Sequence, residues 1–293
     1  GPLVVWLVSR LVAPLAGYNR RIRDNLALVR PDLSQEEVRR MERAVTDNAG
    51  RTLIEIYSGP EFKARLADAP LDGPGLAALD AARAAGRPVI LVSGHFGNYD
   101  AFRAKIAARY GDVGALYRPL NNLFFNRHYV RAMESIATPL FPRGRRGLAE
   151  MVKYLRGGHI VALLSDQYFG QGADLTFFGR PAKTATSATE MALKYDAEIL
   201  PIYGIRQPDG LSFHIRVEAP LPHSDPETMS QALNDSLEEM TRAHPEQWFW
   251  VHRRWKQKKR KNAKNVVART QTIFTSHHQK NDGDVSDAHA HSD

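Results

Sequence analysis

An α/β domain with a mostly parallel central sheet flanked by helices is what this sequence predicts. Three observations carry that prediction. Short apolar runs of five or six residues recur between helix-length amphipathic stretches, as buried strands do. Those runs alternate with the helical stretches along the chain, the pattern of a sheet covered by helices. The 293 residues, 43% hydrophobic and 25% charged, are enough for one large core and ordinary for a globular chain.

Taken in order, residues 2–19 are mostly apolar but interrupted by Arg10 and Pro14. A spanning helix wants about 20 apolar residues, and an arginine at its centre costs roughly 2.5–3.5 kcal/mol. The stretch is therefore expected to be a monotopic membrane helix or the stump of a longer anchor, with an ordinary buried helix as the alternative. Arg20, Arg21 and Arg23 follow at once, as suits anionic headgroups. Ser34 to Glu37 forms a capping box that opens a helix running to about Tyr57, closed by Gly59-Pro60. A helix over 76–85 stops at Gly86. The run 88–93 reads as a buried strand, 97–109 as helix and 113–117 as strand. Residues 122–137 and 147–156 read as helices and 159–164 as another apolar strand. Helix 184–195, strand 198–205, an alternating edge strand over 211–218 and a long helix over 225–242 complete the domain. Three regions are thus expected: 1–30, membrane-associated and basic; 31–256, the α/β domain; and 257–293, a disordered tail low in aromatics.

Charge and composition exclude several functions. Residues 1–251 hold 30 Lys+Arg against 28 Asp+Glu, while 252–280 hold ten bases and no acid. A near-neutral domain with a local basic patch is a poor nucleic-acid binder. There is no cysteine, which removes disulfides, thiolate metal sites and cysteine nucleophiles. No helical His pair suggests a metal site, and no G-x-S-x-G elbow suggests a serine hydrolase.

The chemistry is expected at Ser93-Gly94-His95-Phe96-Gly97-Asn98-Tyr99-Asp100. A buried strand delivers His95 to its carboxyl end, where open α/β sheets bind ligands. Flanking glycines permit an unusual turn and the close approach of a substrate. Asp100, about one helical turn on, can fold back onto the imidazole, fixing its tautomer and supporting general-base work. Without a protein nucleophile, such a pair activates water or an acceptor hydroxyl. Asp166 also ends an apolar strand, where capping and a site role are equally open.

These residues resemble the bacterial lipid A biosynthesis acyltransferases, a branch of the lysophospholipid acyltransferase superfamily marked by H-x4-D/E. His95 and Asp100 match that motif within GHFGNYD. Tyr117-Arg118-Pro119-Leu120-Asn121-Asn122 follows, then Ser165-Asp166-Gln167, residues 177–182 with Thr184, Pro201, and residues 246–255 (EQWFWVHRRW). The ordered set spans about residues 15–256. Asp100 replaces the branch's usual Glu, a feature shared with mycobacterial phosphatidylinositol mannoside acyltransferases.

The resemblance implies a glycerol-3-phosphate-acyltransferase-like fold and a membrane-bound enzyme at the cytoplasmic face of the bacterial inner membrane. It implies transfer of an acyl chain from acyl carrier protein, or from acyl-CoA, to a hydroxyl of a lipid A precursor, with no other cofactor. His95 and Asp100 would be catalytic. Amides near Gly97 and Asn98 would hold the oxyanion, and Arg118, Asn121 and Asp166 would bind substrate. Another glycolipid acceptor, a thioesterase and a non-enzymatic membrane-surface binder are the alternatives.

Overall fold

The computed structural model describes residues 16–256; the apolar residues 2–15 and the tail 257–293, with the membrane and disorder expectations that fall on them, lie outside the described residues. No helix of the described residues is long and apolar enough to cross a membrane.

Helix α1 (Tyr18–Val29) and helix α2 (Gln35–Tyr57) open the described chain. The capping box is formed: Ser34 N donates to Glu37 Oε2 at 2.8 Å and Glu37 N to Ser34 Oγ at 3.3 Å. Gly59-Pro60 does not merely end α2. Proline near a helix start is pre-set for helical φ, so it begins α3 (Gly59–Leu66). Then come β1 (Leu71–Asp72), α4 (Leu76–Ala84), β2 (Val89–Ser93), α5 (Tyr99–Tyr110), β3 (Val113–Tyr117) and α6 (Leu123–Ile136). They are followed by β4 (Leu140–Pro142), α7 (Arg145–Arg156), β5 (Ile160–Leu164), the hairpin β6 (Ala173–Phe177) and β7 (Arg180–Thr184), and α8 (Ser187–Tyr195). Strands β8 (Glu198–Arg206) and β9 (Phe213–Val217), helix α9 (Pro226–Ala243) and a 3₁₀ turn (Pro245–Gln247) finish the domain.

Seven strands form one sheet in the order β1-β9-β8-β2-β5-β3-β4. All neighbours are parallel except β8 and β9. β9, expected at the edge, has only the two-residue β1 beyond it. The central strands are buried on both faces, which is why they read as unbroken apolar runs. Their alternation divides two cores. Val89 and Leu91 face α3–α6, while Ile90 and Val92 face α7, α8 and α9. Each fully buried Leu or Ile contributes about 1.5–3 kcal/mol.

A third cluster, largely aromatic, gathers Phe177 and Phe178 of the hairpin with Trp248, Trp250 and Trp255. Ile22 and Leu26 of α1 are wholly buried against it, and Arg23 pairs with Glu42 at 3.0 Å. The basic segment expected beside a membrane anchor is therefore part of the folded domain through α1. The basic stretch that begins at Arg253 contributes one residue to the interior. Arg254 is fully buried, and donates to Lys183 O, Thr184 Oγ1 and Asn234 Oδ1 at 2.7–3.0 Å.

Candidate active site

Strands β2 and β5 are parallel and in register, with Ser93 opposite Leu164. Two residues beyond each end, the same register sets His95 opposite Asp166. Ser165 N continues the ladder onto Ser93 O at 3.0 Å. The carboxylate meets the histidine twice. His95 Nδ1 lies 2.7 Å from Asp166 Oδ1, and the His95 amide donates to Oδ2 at 2.9 Å. Trp248 Nε1 donates to the same Oδ2 at 3.0 Å. Asp166 is buried, 1% exposed, yet charged. Burial pushes its carboxyl up, but the charge and hydrogen bonds of His95, helped by His252, overcome this and hold it well below the carboxylate range.

This corrects the expected pair. Asp100 does not fold back onto the imidazole. As the second residue of α5 it pairs, buried, with Arg103 one turn along the same helix. Arg103 in turn donates to Ala137 O at 3.0 Å. An i,i+3 partner within the helix outcompetes a ring before its start.

The flanking glycines make the expected unusual turn, but what approaches them closely is the protein itself. A Cβ on Gly94 would stand 2.7 Å from Leu237 Cδ2 and 3.3 Å from Asp166 Cβ, so its absence makes room for the carboxylate. Gly97 has φ +52°, and a Cβ there would strike Gly204 O at 2.0 Å. The close approach is made by the protein's own backbone. Residues 247–249 run antiparallel to 95–97: Gly97 N donates to Gln247 O, and Phe249 N to His95 O, both at 2.9 Å. Asn98 N donates to Gly204 O at 3.4 Å. The amides of Gly97 and Asn98, expected to hold an oxyanion, are thus committed to the fold. Asn98 instead caps α5 through Asp100 N and donates to buried Glu55, which pairs with Arg206.

His252 is the residue that sequence reading passed over; its place between Trp250 and Trp255 in the EQWFWVHRRW segment was the available signal. Its ring stands edge-on to His95, centroids 4.4 Å apart. Burial, then the charge of His95, lowers its pKa to about 4, so it stays neutral. His95, Asp166 and His252 bring one ligand atom each within 4.8 Å of one another. Both Asp166 oxygens already accept hydrogen bonds from His95 and Trp248. His95, Asp166 and Trp248 thus form the hydrogen-bonded set, His252 Nε2 is buried without a hydrogen-bond partner, and a metal would have to displace the donors on Asp166.

His95 Nε2, opposite the nitrogen engaged by Asp166, has no hydrogen bond among the described residues. His95 lines a cavity of about 550 Å³, within the range of small-molecule sites. Its walls are largely apolar, including Leu53, Phe102, Leu116, Met133 and Leu164. Asp100, Arg118 and Asn121 line it too, whereas Gly97, Asn98 and Asp166 do not. Arg118 follows β3, next in the sheet after β5, so three adjacent strand ends build one side of the site. It is exposed, with no hydrogen bond or ion pair among the described residues.

A histidine on a buried carboxylate at the mouth of an apolar cavity suits activation of a hydroxyl beside a fatty chain. The model of the bacterial lipid A biosynthesis acyltransferase family matches residues 5–257. The chain belongs to that family. It is 25% identical over 275 residues to the lipid A biosynthesis lauroyltransferase of Escherichia coli K12, covering 86% of this chain and 89% of that one. The palmitoleoyltransferase of the same organism is 26% identical over 267 residues, covering 87% and 85%. A phosphatidylinositol mannoside acyltransferase of Mycobacterium tuberculosis is 26% identical over 218 residues, covering 72% and 69%. The chain is accordingly an acyltransferase of the lipid A type.

Proposed function

We propose that this acyltransferase moves a fatty acyl chain from an acyl carrier protein thioester to a hydroxyl of a lipid A precursor, with His95 as general base oriented by Asp166. The observation that carries the reading is the 2.7 Å contact of Asp166 with His95 Nδ1, which leaves Nε2 for substrate. Nε2 takes the proton of the acceptor hydroxyl as its oxygen attacks the thioester carbonyl carbon. The tetrahedral intermediate then collapses, the C–S bond breaks, and the imidazolium returns the proton to the departing thiolate. Asp166 holds the tautomer and stabilises the imidazolium. No cofactor beyond the acyl donor is needed to balance these steps. With the Gly97 and Asn98 amides engaged and Arg103 paired to Asp100, Arg118 is the unpaired cation among the described residues of the cavity wall for the developing oxyanion or an acceptor phosphate. Asn121 beside it supplies a neutral donor.

The reaction belongs at the cytoplasmic face of the inner membrane, where the acceptor's chains stay in the bilayer. The apolar stretch 2–17, ahead of Arg20 and Arg21, supports a membrane-associated start to the chain. The mycobacterial relative's name supports a second acceptor class, a phosphatidylinositol mannoside.

The test is product analysis with radiolabelled acyl carrier protein thioester, with and without each glycolipid. Label in the glycolipid ester, absent without acceptor, is the expected result. Label released as free fatty acid at the same rate in both would make the protein a thioesterase.

A further inference from the structure

The first turn of α6 projects an apolar tip beside the cavity mouth. Leu123 is 72%, Phe124 63% and Phe125 59% exposed, and Leu120 just before them is 42% exposed. This is no frayed end. Asn122 accepts from the amides of Phe124 and Phe125 at 3.0 and 3.2 Å, and Asn126 accepts from Leu120 N at 2.8 Å. The later turns of the same helix bury Met133 and Ile136. Tyr129 and Met133 line the cavity, as does Leu120. One helix therefore walls the site with its second half and exposes its apolar first turn at the rim.

Four large apolar side chains held in water within six residues are unfavourable unless something covers them. The surrounding charge says what does. Between residues 118 and 146 there are six arginines and one acid, Glu134. Arg118, Arg127 and Arg131 are exposed around the tip. An apolar tip ringed by arginines is the layout of an interfacial insertion: the rings enter the acyl boundary while guanidinium groups meet phosphates. An acidic protein would be served by the arginines alone.

We infer that the Leu120–Phe125 tip of α6 docks into the surface of an anionic bilayer, bringing the cavity mouth down onto the lipid. This goes beyond the proposed transfer reaction and beyond any anchoring by residues 2–17. It makes the membrane a wall of the entrance, so a chain passes from bilayer to cavity along Leu120 and Leu53.

Because the chain has no cysteine, Phe124→Cys in this 293-residue chain gives one site for an environment-sensitive fluorophore. Ala85→Cys, exposed at the amino end of the sheet, is the control. With phosphatidylethanolamine–phosphatidylglycerol vesicles, the probe at 124 should shift to an apolar signal and be quenched by lipids carrying a quencher on the acyl chain; the probe at 85 should not. Replacing Leu123, Phe124 and Phe125 together by serine should weaken vesicle partitioning at least about tenfold, about 1.4 kcal/mol. The same variant should retain turnover on detergent-dispersed acceptor. An aqueous signal at 124 on vesicles would overturn the inference. So would wild-type partitioning of the triple variant, or a response to acidic carrier protein in place of vesicles. The probe reads docking without turnover, so failure of the transfer reaction would leave this result standing.

Discussion

At the level of single residues, His95 and Asp166 divide the work that a base and its orienting acid must share. His95→Ala should lower transfer by 10²-fold or more, the range for a positioned general base, while circular dichroism and melting stay close to wild type. Retention of a tenth of the activity would remove His95 from that role. His252 has a different signature. Its pKa of about 4 in the folded chain lies below the ordinary 6.5, so between those values the unfolded chain binds more protons. Stability should fall as pH drops from 6.5 towards 4, by roughly 2–3 kcal/mol from this group. Urea unfolding at pH 7.5 and 4.5 should show a smaller loss in His252→Gln than in wild type; equal losses would mean that other groups carry the acid sensitivity. His95 was legible because glycines flank it at the end of an apolar strand. Asp166 was visible as a strand end and within Ser165-Asp166-Gln167, but not as the partner of His95, which is 71 residues away, because register between β2 and β5 is not a local property. Asp100 misled because motif spacing does not reveal that Arg103, three residues on, claims its carboxylate.

The elements around the site are locked by backbone contacts. The turn 95–98 is clamped between β8, which receives Asn98 N at Gly204 O, and residues 247–249, which pair with 95–97. Gly97→Ala places a Cβ against Gly204 O in a left-handed backbone region. It should cost more than about 1 kcal/mol and reduce activity, read as a lower melting temperature together with lost turnover. A variant as stable as wild type would mean that the turn relaxes freely. Behind it, Glu55 of α2 pairs with Arg206 of β8 through contacts of 2.5 and 2.8 Å, with both side chains buried. Removing one charge of a buried pair typically costs 3–5 kcal/mol, so Glu55→Leu should unfold at markedly lower denaturant concentration. A midpoint within experimental scatter of wild type would show the pair to be dispensable. The long elements were legible from periodicity and caps: α2 from its capping box, and β2, β5 and β8 from apolar runs. The short β1 and β4 and the β6–β7 hairpin were not. β1 has two residues and β4 three, too few to show a period, and in the hairpin β7 opens on exposed Arg180 and Pro181, which break its alternation.

The whole sheet decides the chemistry. β2 is central, with β8 on one side and β5 on the other, so the chain's progress reverses across the strand that carries His95. Open α/β sheets bind ligands at such a reversal, beyond the carboxyl ends of the strands. Strand order, not the spacing of a motif within one loop, brings Asp166 to the imidazole and leaves Asp100 in a helix-internal ion pair. The two aspartates therefore have separable roles. Asp166→Asn should leave the fold stable but lower kcat roughly 10²–10⁴-fold, through loss of the tautomer and of imidazolium stabilisation. Asp100→Asn should mainly destabilise, by roughly 3 kcal/mol, because Arg103 is left buried and unpaired. The most direct measurement is kcat for glycolipid acylation by the two variants side by side, each corrected for its folded fraction. A collapse in Asp166→Asn with a much smaller loss in Asp100→Asn is the expected result. Near-wild-type turnover in Asp166→Asn, with the collapse in Asp100→Asn, would contradict the His95–Asp166 pair.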